Sequence, residues 1–223
     1  VFRGRLDPSE PEPTVEIEES CVSEGLLDLQ QFQEVRTYEH FLAWRDHRNA
    51  AEGFVPPAET ALGFMSIGLH AEARLQIAGM EDPDSDFLRE LSVLLEDGRA
   101  NGLEVFERMS TCSEAAGIWF SLAKVTSLDP EGPELLGQNL MSFRRLPPYL
   151  KTRFAALAVP ALDRMDQPLL AEKLMADFSA EEITWSRRLS LNSAILEMRK
   201  ASAGSDAKLR EYMQIAELRA EAA

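Results

Sequence analysis

The three histidines, His40, His47 and His70, are the residues best suited to bind a metal or transfer a proton near neutral pH. His40 and His47 are seven residues apart, so on one helix they would face the same side and could share a metal with Glu39 or Asp46. That segment supplies too few ligands on one face for a tetrahedral site. No histidine follows a Glu by three positions, as di-iron bundles require. The sequence therefore predicts no bound metal.

The acidic run Asp82, Asp84 and Asp86 places carboxylates at positions one, three and five of a calcium-binding loop. Position six is Phe87 where the loop needs Gly, and position twelve is Val93 where it needs Glu. We interpret the run as an exposed linker that caps the following helix and complements its dipole.

Two cysteines, Cys21 and Cys112, are too few for a disulfide-rich scaffold and have no zinc-binding spacing. In an oxidising compartment they could form a disulfide that closes a long loop and contributes a few kcal/mol. The alternative is two separate half-buried thiols, because a full helix pair and two further helices lie between them and stacked repeats are distant in space.

Other catalytic patterns are missing from the sequence. It has no glycine-rich phosphate loop, no nucleophile elbow and no strand pattern to hold one, and no local motif joins Cys112 to a histidine. We therefore predict no catalytic residue, no cofactor and no enzymatic activity.

The composition is that of one elongated helical domain: 223 residues, 45% of them hydrophobic. A formal charge of −15 argues against a nucleic-acid partner and against anionic membrane surfaces. The longest apolar run, around 154–162, is too short to insert into a membrane and is interrupted by Pro160. Residues 1–142 carry 10 basic and 27 acidic side chains, a net −17, whereas 143–223 carry 13 and 11, a net +2. Electrostatic steering should differ between these halves.

One pattern recurs four times along the chain, at spacings of 30, 34 and 34 residues, which are typical of helix-turn-helix repeats. It ends on a mostly small residue expected at the crossing of two helices: Ala73, Leu103, Gly137 and Ala171. Five positions earlier stands a residue expected to form the turn: Gly68, Gly98, Gly132 and Asp166.

The pattern predicts four helix pairs, 57–68 with 70–80, 84–97 with 101–110, 113–129 with 133–145, and 148–164 with 167–178, giving repeats at about 57–80, 84–110, 113–145 and 148–178. Pro160 should kink or split the helix that contains it. Shorter helices are predicted near 23–32 and 37–50.

The chain is predicted to comprise a flexible acidic, proline-containing arm at 1–20 and a single helical domain at 21–223. Two capping helices are expected at about 180–222. The first opens with a capping box at Ser179–Glu182 and runs to about 199. The second follows Gly204 and has one apolar face: Leu209, Tyr212, Met213 and Ala216.

The segments 68–73 and 166–171 resemble the turn and second-helix start of a tetratricopeptide (TPR) repeat, and the likeness extends over about 57–178. The family's first-helix aromatic and its Leu-Gly pair are not retained. The resemblance implies a right-handed α-solenoid of antiparallel helix pairs whose first helices line a groove for a peptide or partner helix. Mapped onto this chain, the partner-binding residues are Leu62, Met65, Ser66, Ser92, Leu95, Glu96, Thr126 and Asp163.

A cysteine in a helix linker and Leu146-Pro147-Pro148 before the fourth pair also resemble uncharacterised, exported repeat proteins of proteobacteria. This likeness implies a periplasmic location, with the cytoplasm as the alternative. Because the chain opens on Val1 and has no signal-peptide pattern, we expect a mature form or an excised fragment.

Our leading hypothesis is a non-enzymatic scaffold or interaction module that binds a protein or peptide across its repeats. The second hypothesis is a passive segment of a longer solenoid, packed on the remaining repeats of a parent chain. An exposed apolar patch at the 21–56 end would favour this hypothesis. A helical enzyme or small-ligand-binding protein with an unrecognised site is the third, and a pocket with buried polar groups would favour that.

Replacing Ala171 with Arg should destabilise the fold by more than about 2 kcal/mol, because the position is expected to be buried where two helices cross. Thermal unfolding of the variant measures the effect. An unchanged melting temperature would mean that the repeat register is wrong.

Overall fold

The computed structural model describes residue 21 and residues 26–201, without the side chains of 114 and 201, and this part of the chain is helical with no strand. The predicted arm at 1–20 and the terminal helix after Gly204 lie outside it. Within it are 3-10 helices at Leu29–Phe32 and Glu114–Ala116 and twelve α-helices: α1 Tyr38–Glu52, α2 Pro57–Met65, α3 His70–Gln76, α4 Pro83–Asp97, α5 Leu103–Cys112, α6 Gly117–Thr126, α7 Gly132–Gln138, α8 Leu140–Arg144, α9 Pro148–Arg164, α10 Pro168–Met175, α11 Ala180–Trp185 and α12 Arg187–Ala201. The all-α prediction is confirmed.

The predicted helix pairs correspond to α2 with α3, α4 with α5, α6 with α7 and α8, and α9 with α10, and each pair is in contact. Ala73 and Ala171 are fully buried, as the repeat register predicts. Successive pairs also touch, through α3 with α4, α5 with α6, and α6 with α9. One continuous hydrophobic core extends from Leu26 to Leu196.

Proline and acidic residues determine where several helices begin. Proline is the first residue of α2, α4, α9 and α10, where its missing N–H leaves no hydrogen bond unmade. At α4 the Asp82 carboxylate accepts from the Ser85 N–H at 2.9 Å, and the Ser85 hydroxyl accepts from the Asp82 N–H. The acidic run is therefore a helix cap, as predicted. Asp82, Asp84 and Asp86 are half-buried at the helix start, so the prediction that the run is exposed is wrong for these three; only the preceding Glu81 is exposed.

Helix ends follow the predicted turns in three pairs out of four. Gly68, Gly98 and Asp166 have positive φ angles of 85°, 73° and 57°. In the third pair the left-handed residue is Leu128, with φ 59°, so the prediction of Gly132 is wrong. Gly132 instead begins α7 so close to α6 that a Cβ there would lie 2.8 Å from the Val125 backbone nitrogen. The third copy is displaced by about one helical turn, which leaves its predicted crossing residue Gly137 exposed.

Three predicted helices differ in continuity from the structure, and the one predicted at 133–145 is divided at Asn139 into α7 and α8. Helix α9 is unbroken through Pro160, because buried residues on both sides hold it against the core and offset one missing hydrogen bond. The predicted 180–199 helix instead breaks at Ser186, whose extended backbone separates α11 from α12. The capping box that starts α11 forms as predicted.

Helix α9 lies across the C-terminal ends of two first helices. Its residues 149, 153 and 157 are four apart and therefore share one face. A Cβ added at Gly68, after α2, would lie 2.6 Å from Tyr149, and one at Gly98, after α4, would lie 2.8 Å from Leu157. The fourth pair therefore contacts the ends of the first and second pairs directly.

The segment before α1 joins parts of the chain that are far apart in sequence. A disulfide links Cys21 to Cys112 at the end of α5, with 5.6 Å between their Cα atoms. The Gln33 side chain donates to the Arg145 carbonyl at 2.6 Å. The Phe32 ring packs on Trp44 of α1 with centroids 4.8 Å apart. The segment therefore contacts the end of the third pair, and the disulfide joins it to the second pair.

Among residues 26–201, no helix combines the length and the apolar character needed to cross a bilayer.

The variants Gly68→Ala and Gly53→Ala separate backbone strain from contact with α9. Both glycines have φ near 80°, but a Cβ at Gly53 meets nothing within 4 Å, whereas one at Gly68 meets the Tyr149 ring. We expect a loss of about 1 kcal/mol for Gly53→Ala and about 2–4 kcal/mol for Gly68→Ala in urea unfolding. Equal losses would contradict the close approach of α9 to this turn.

Candidate functional site

A cavity of about 360 Å³ lies where the start of α3, the end of α4, one face of α9 and the α11–α12 junction meet. Its size falls within the range typical of ligand pockets. We call it the α9 pocket. Its walls are formed by His70, Glu96, Tyr149, Thr152, Arg153, Ala156, Ser186 and Arg188.

Helix α9 supplies half of these walls, from positions 149, 152, 153 and 156, which form one helical stripe. The Arg153 side chain in this stripe is only 9% exposed. Its Nε donates to the Leu95 carbonyl and its Nη2 donates to the Glu96 carbonyl at 2.6 Å. These carbonyls belong to the last turn of α4. Carbonyls in a last turn receive no hydrogen bond from within the helix, and they carry the negative end of the helix dipole.

His70 and Tyr149 are in contact with each other in the pocket wall. The Tyr149 oxygen lies 3.4 Å from His70 Nε2, and His70 Nδ1 is buried with no partner among the described residues. Burial lowers the pKa of His70 and raises the pKa of Tyr149, in each case because the charged form loses its hydration. At neutral pH the pocket therefore contains a neutral imidazole and a neutral phenol.

The α11–α12 junction forms the remaining wall. Ser186 caps α12: its hydroxyl accepts from the Leu189 N–H at 3.3 Å and its carbonyl accepts from the Ser190 N–H at 2.8 Å. The break places Arg188 at the pocket, where it makes no hydrogen bond or ion pair with any described residue. Trp185, the residue before the break, is 83% exposed.

The pocket walls have a net positive charge although the chain is strongly acidic. Arg153 and Arg188 contribute two positive charges and Glu96 one negative charge. The Glu96 carboxylate accepts from Arg74 Nη1 at 2.5 Å, and the same nitrogen donates to Ser92. The acidic member of the wall is thus already partnered, while Arg188 is not.

No protein-family model, curated protein or solved structure matches this chain. The function is therefore argued from the pocket and the surface around it.

The predicted partner-binding residues are mostly inaccessible. Glu96 is exposed and lines the α9 pocket, and Thr126 and Asp163 are half-buried, with Asp163 paired to Arg199 at 2.7 Å. The others are fully buried: Leu62, Met65, Ser66, Ser92 and Leu95. Side chains without accessible surface cannot contact a partner in this conformation. They are covered because the first helices lie inside the fold and α9 crosses their ends.

The residues considered for metal binding do not come together in the described part of the chain. His40 and His47 are exposed on α1, and no group of three or more His, Cys, Asp or Glu side chains is close enough to hold an ion. His70 is far from both in sequence and belongs to the α9 pocket.

The sequence analysis missed Tyr149, Arg153, Ser186 and Arg188. Arg153 could have been recognised from the sequence, because it interrupts the apolar stripe that Leu150, Phe154 and Leu157 form on α9. A charged residue on a core-facing stripe needs a buried partner. Ser186 could also have been recognised, since serine is a favoured N-cap residue at the start of a helix.

The lowered pKa of His70 predicts a specific acid sensitivity. The unfolded chain binds a proton on this histidine at higher pH than the folded chain. The stability that the neutral, buried His70 contributes is therefore complete above the pKa of the unfolded chain, and it is lost as pH falls towards the pKa of the folded chain. Between pH 7.5 and 5, wild type should lose more unfolding free energy than His70→Gln. The matched control is His47→Gln, at an exposed position of α1, which should lose as much unfolding free energy as wild type. If His70→Gln loses as much as wild type too, the burial of His70 does not affect its titration.

Proposed function

We propose that this protein is a non-enzymatic module that binds a polypeptide partner at the surface around the α9 pocket. The observation that carries the proposal is Trp185, which is 83% exposed on the described fold. A tryptophan left in water loses the stabilisation that burial would give, and tryptophans dominate the energetics of protein interfaces.

The surroundings of Trp185 have the composition of an interaction site. Ser186 follows it directly and Arg188 comes three residues after it, and both line the pocket together with Tyr149, which is partly exposed. Aromatic and arginine side chains are enriched in interface centres. Glu96, which the sequence analysis assigned to partner binding, belongs to the same surface.

We further propose that the helix pairs form a short right-handed, TPR-like solenoid capped by α11 and α12. Contacts of α3 with α4, of α5 with α6 and of α6 with α9 join the pairs in sequence order and support this arrangement. The alternative, a passive segment of a longer solenoid, has support in Tyr38 and Phe54, which are 49% and 66% exposed at the 21–56 end, whereas the exposed Glu39, His40, Asp46 and His47 of α1 argue against it.

The Cys21–Cys112 disulfide supports a location in an oxidising compartment, which in bacteria is the periplasm. The charge distribution supports a basic surface on any partner that reaches the N-terminal pairs, because residues 1–142 carry a net −17. Association with such a partner would slow as salt concentration rises.

Trp185→Ala should abolish partner capture while leaving the fold intact. The experiment compares immobilised wild type, Trp185→Ala and Phe54→Ala in the native extract, with bound polypeptides quantified by mass spectrometry. Phe54 is the matched control, because it is an aromatic that is 66% exposed but lies between α1 and α2, away from the pocket.

We expect one or a few polypeptides to bind wild type and Phe54→Ala. The amount captured by Trp185→Ala should be at least tenfold lower, which corresponds to a loss of about 1.4 kcal/mol or more of binding free energy. Equal capture by all three proteins would refute this surface. Turnover of a small molecule that is abolished by changing a pocket side chain would refute the non-enzymatic proposal.

A further inference from the structure

We infer that the α9 pocket binds a monoanionic carboxylate, which the polypeptide partner presents. Only the source of the carboxylate rests on the proposed function; the chemistry of the pocket is argued from its own walls.

Arg153 provides a fixed positive charge. Two of its nitrogens donate to α4, so the orientation of the guanidinium is set before any ligand arrives. Nη1 has no partner among the described residues and is not sealed from solvent. A prepositioned guanidinium with a free donor is well matched to a carboxylate, because little conformational entropy remains to be lost on binding.

Arg188 provides a second positive charge in the pocket wall and makes no ion pair or hydrogen bond with any described residue. Three hydroxyl groups also line the pocket, those of Tyr149, Thr152 and Ser186. The Ser186 oxygen accepts from Leu189, which leaves its O–H to donate into the pocket. Tyr149 can also donate, since a neutral His70 with its proton on Nε2 donates to the phenol oxygen and leaves the phenol O–H free.

The charge of Glu96 is already balanced by Arg74, so Arg153 and Arg188 leave two positive charges for an anion. The donors that the walls offer, Arg153 Nη1, Arg188 and the Ser186 hydroxyl, are suited to carboxylate oxygens. The volume of 360 Å³ corresponds to roughly twelve water-sized groups, which fits one amino-acid residue but not a folded element.

Two probes that differ only in charge test this chemistry. N-acetylphenylalanine carries a carboxylate, and its carboxamide does not. Each is titrated into the uniformly ¹⁵N-labelled full chain, with amide shifts recorded by NMR. We expect the acid to shift residues at the start of α9 and at the α11–α12 junction, and to bind at least tenfold more tightly than the amide.

Arg188→Gln should weaken binding of the acid about tenfold and leave binding of the amide unchanged. Arg164→Gln, which removes the same charge from the exposed far end of α9, is the matched control and should behave as wild type. Tyr149→Phe tests the phenol donor alone and should weaken the acid about threefold. Arg188 is exposed, so its variant should fold, and an unchanged melting temperature checks this.

Peptides distinguish the possible sources. Three peptides of equal length are compared: one with a free C-terminal carboxylate, one with an amidated terminus, and one with an amidated terminus and a single internal glutamate. Tight binding of the first identifies a terminal carboxylate, and tight binding of the third identifies an acidic side chain. If N-acetylphenylalanine binds and none of these peptides does, the proposal that a polypeptide presents the carboxylate is wrong.

The inference fails if acid and amide shift the same residues with equal affinity, or if neither shifts the pocket. That failure is distinct from failure at Trp185, because the NMR titrations need no partner. A pocket that binds the acid while Trp185→Ala captures the partner normally would retain the carboxylate site and refute the proposed docking surface.

Discussion

Arg153 is a charged residue in the apolar stripe of α9, and its burial is possible only because the last turn of α4 offers two carbonyls that need donors. Hydrogen bonds that involve a charged group contribute about 1.5–3 kcal/mol, and the cost of burying the guanidinium alone would be much larger. The interaction therefore constrains both helices together. Neither the end of α4 nor the middle of α9 would be stable in its present environment without the other.

This constraint explains much of the architecture around it. Once α9 lies over the end of α4, its residues on either side of Arg153 reach the turns after α2 and α4. Those turns carry Gly68 and Gly98, and any larger residue would collide with Tyr149 or Leu157. The ends of α2 and α4 therefore meet α9. Helix ends have polar backbone groups, so the surface that remains is suited to polar recognition.

The parts of this fold that sequence predicts are those with local causes. Proline at helix starts, glycine at helix ends and the capping boxes at Asp82 and Ser179 are each determined within a few residues, and the helix pairs follow from them. Where a local preference has two solutions, the prediction fails: Leu128 adopts the left-handed turn because Gly132 is needed against the α6 backbone.

The α9 pocket has non-local causes and was therefore not predicted. Arg153 and Leu95 are 58 residues apart, and His70 and Tyr149 are 79 apart. Their contacts depend on how the fourth pair turns back towards the first, which no periodicity in one sequence encodes. Glu96 was the only residue predicted for partner binding that lies in this pocket, and it was identified by its helical position and not by its neighbours.

The disulfide between Cys21 and Cys112 also determines how the protein responds to mechanical force. Tension applied to the two ends of the chain passes through the bridge, so residues 22–111 carry no load. The two cysteines are 91 positions apart in sequence, and the chain between them would otherwise contribute about 300 Å when extended. Under tension only the second half of the molecule, including α9, can be extended, which would pull α9 away from the His70 and Glu96 side of the pocket. Reduction of the disulfide would release the first half as well.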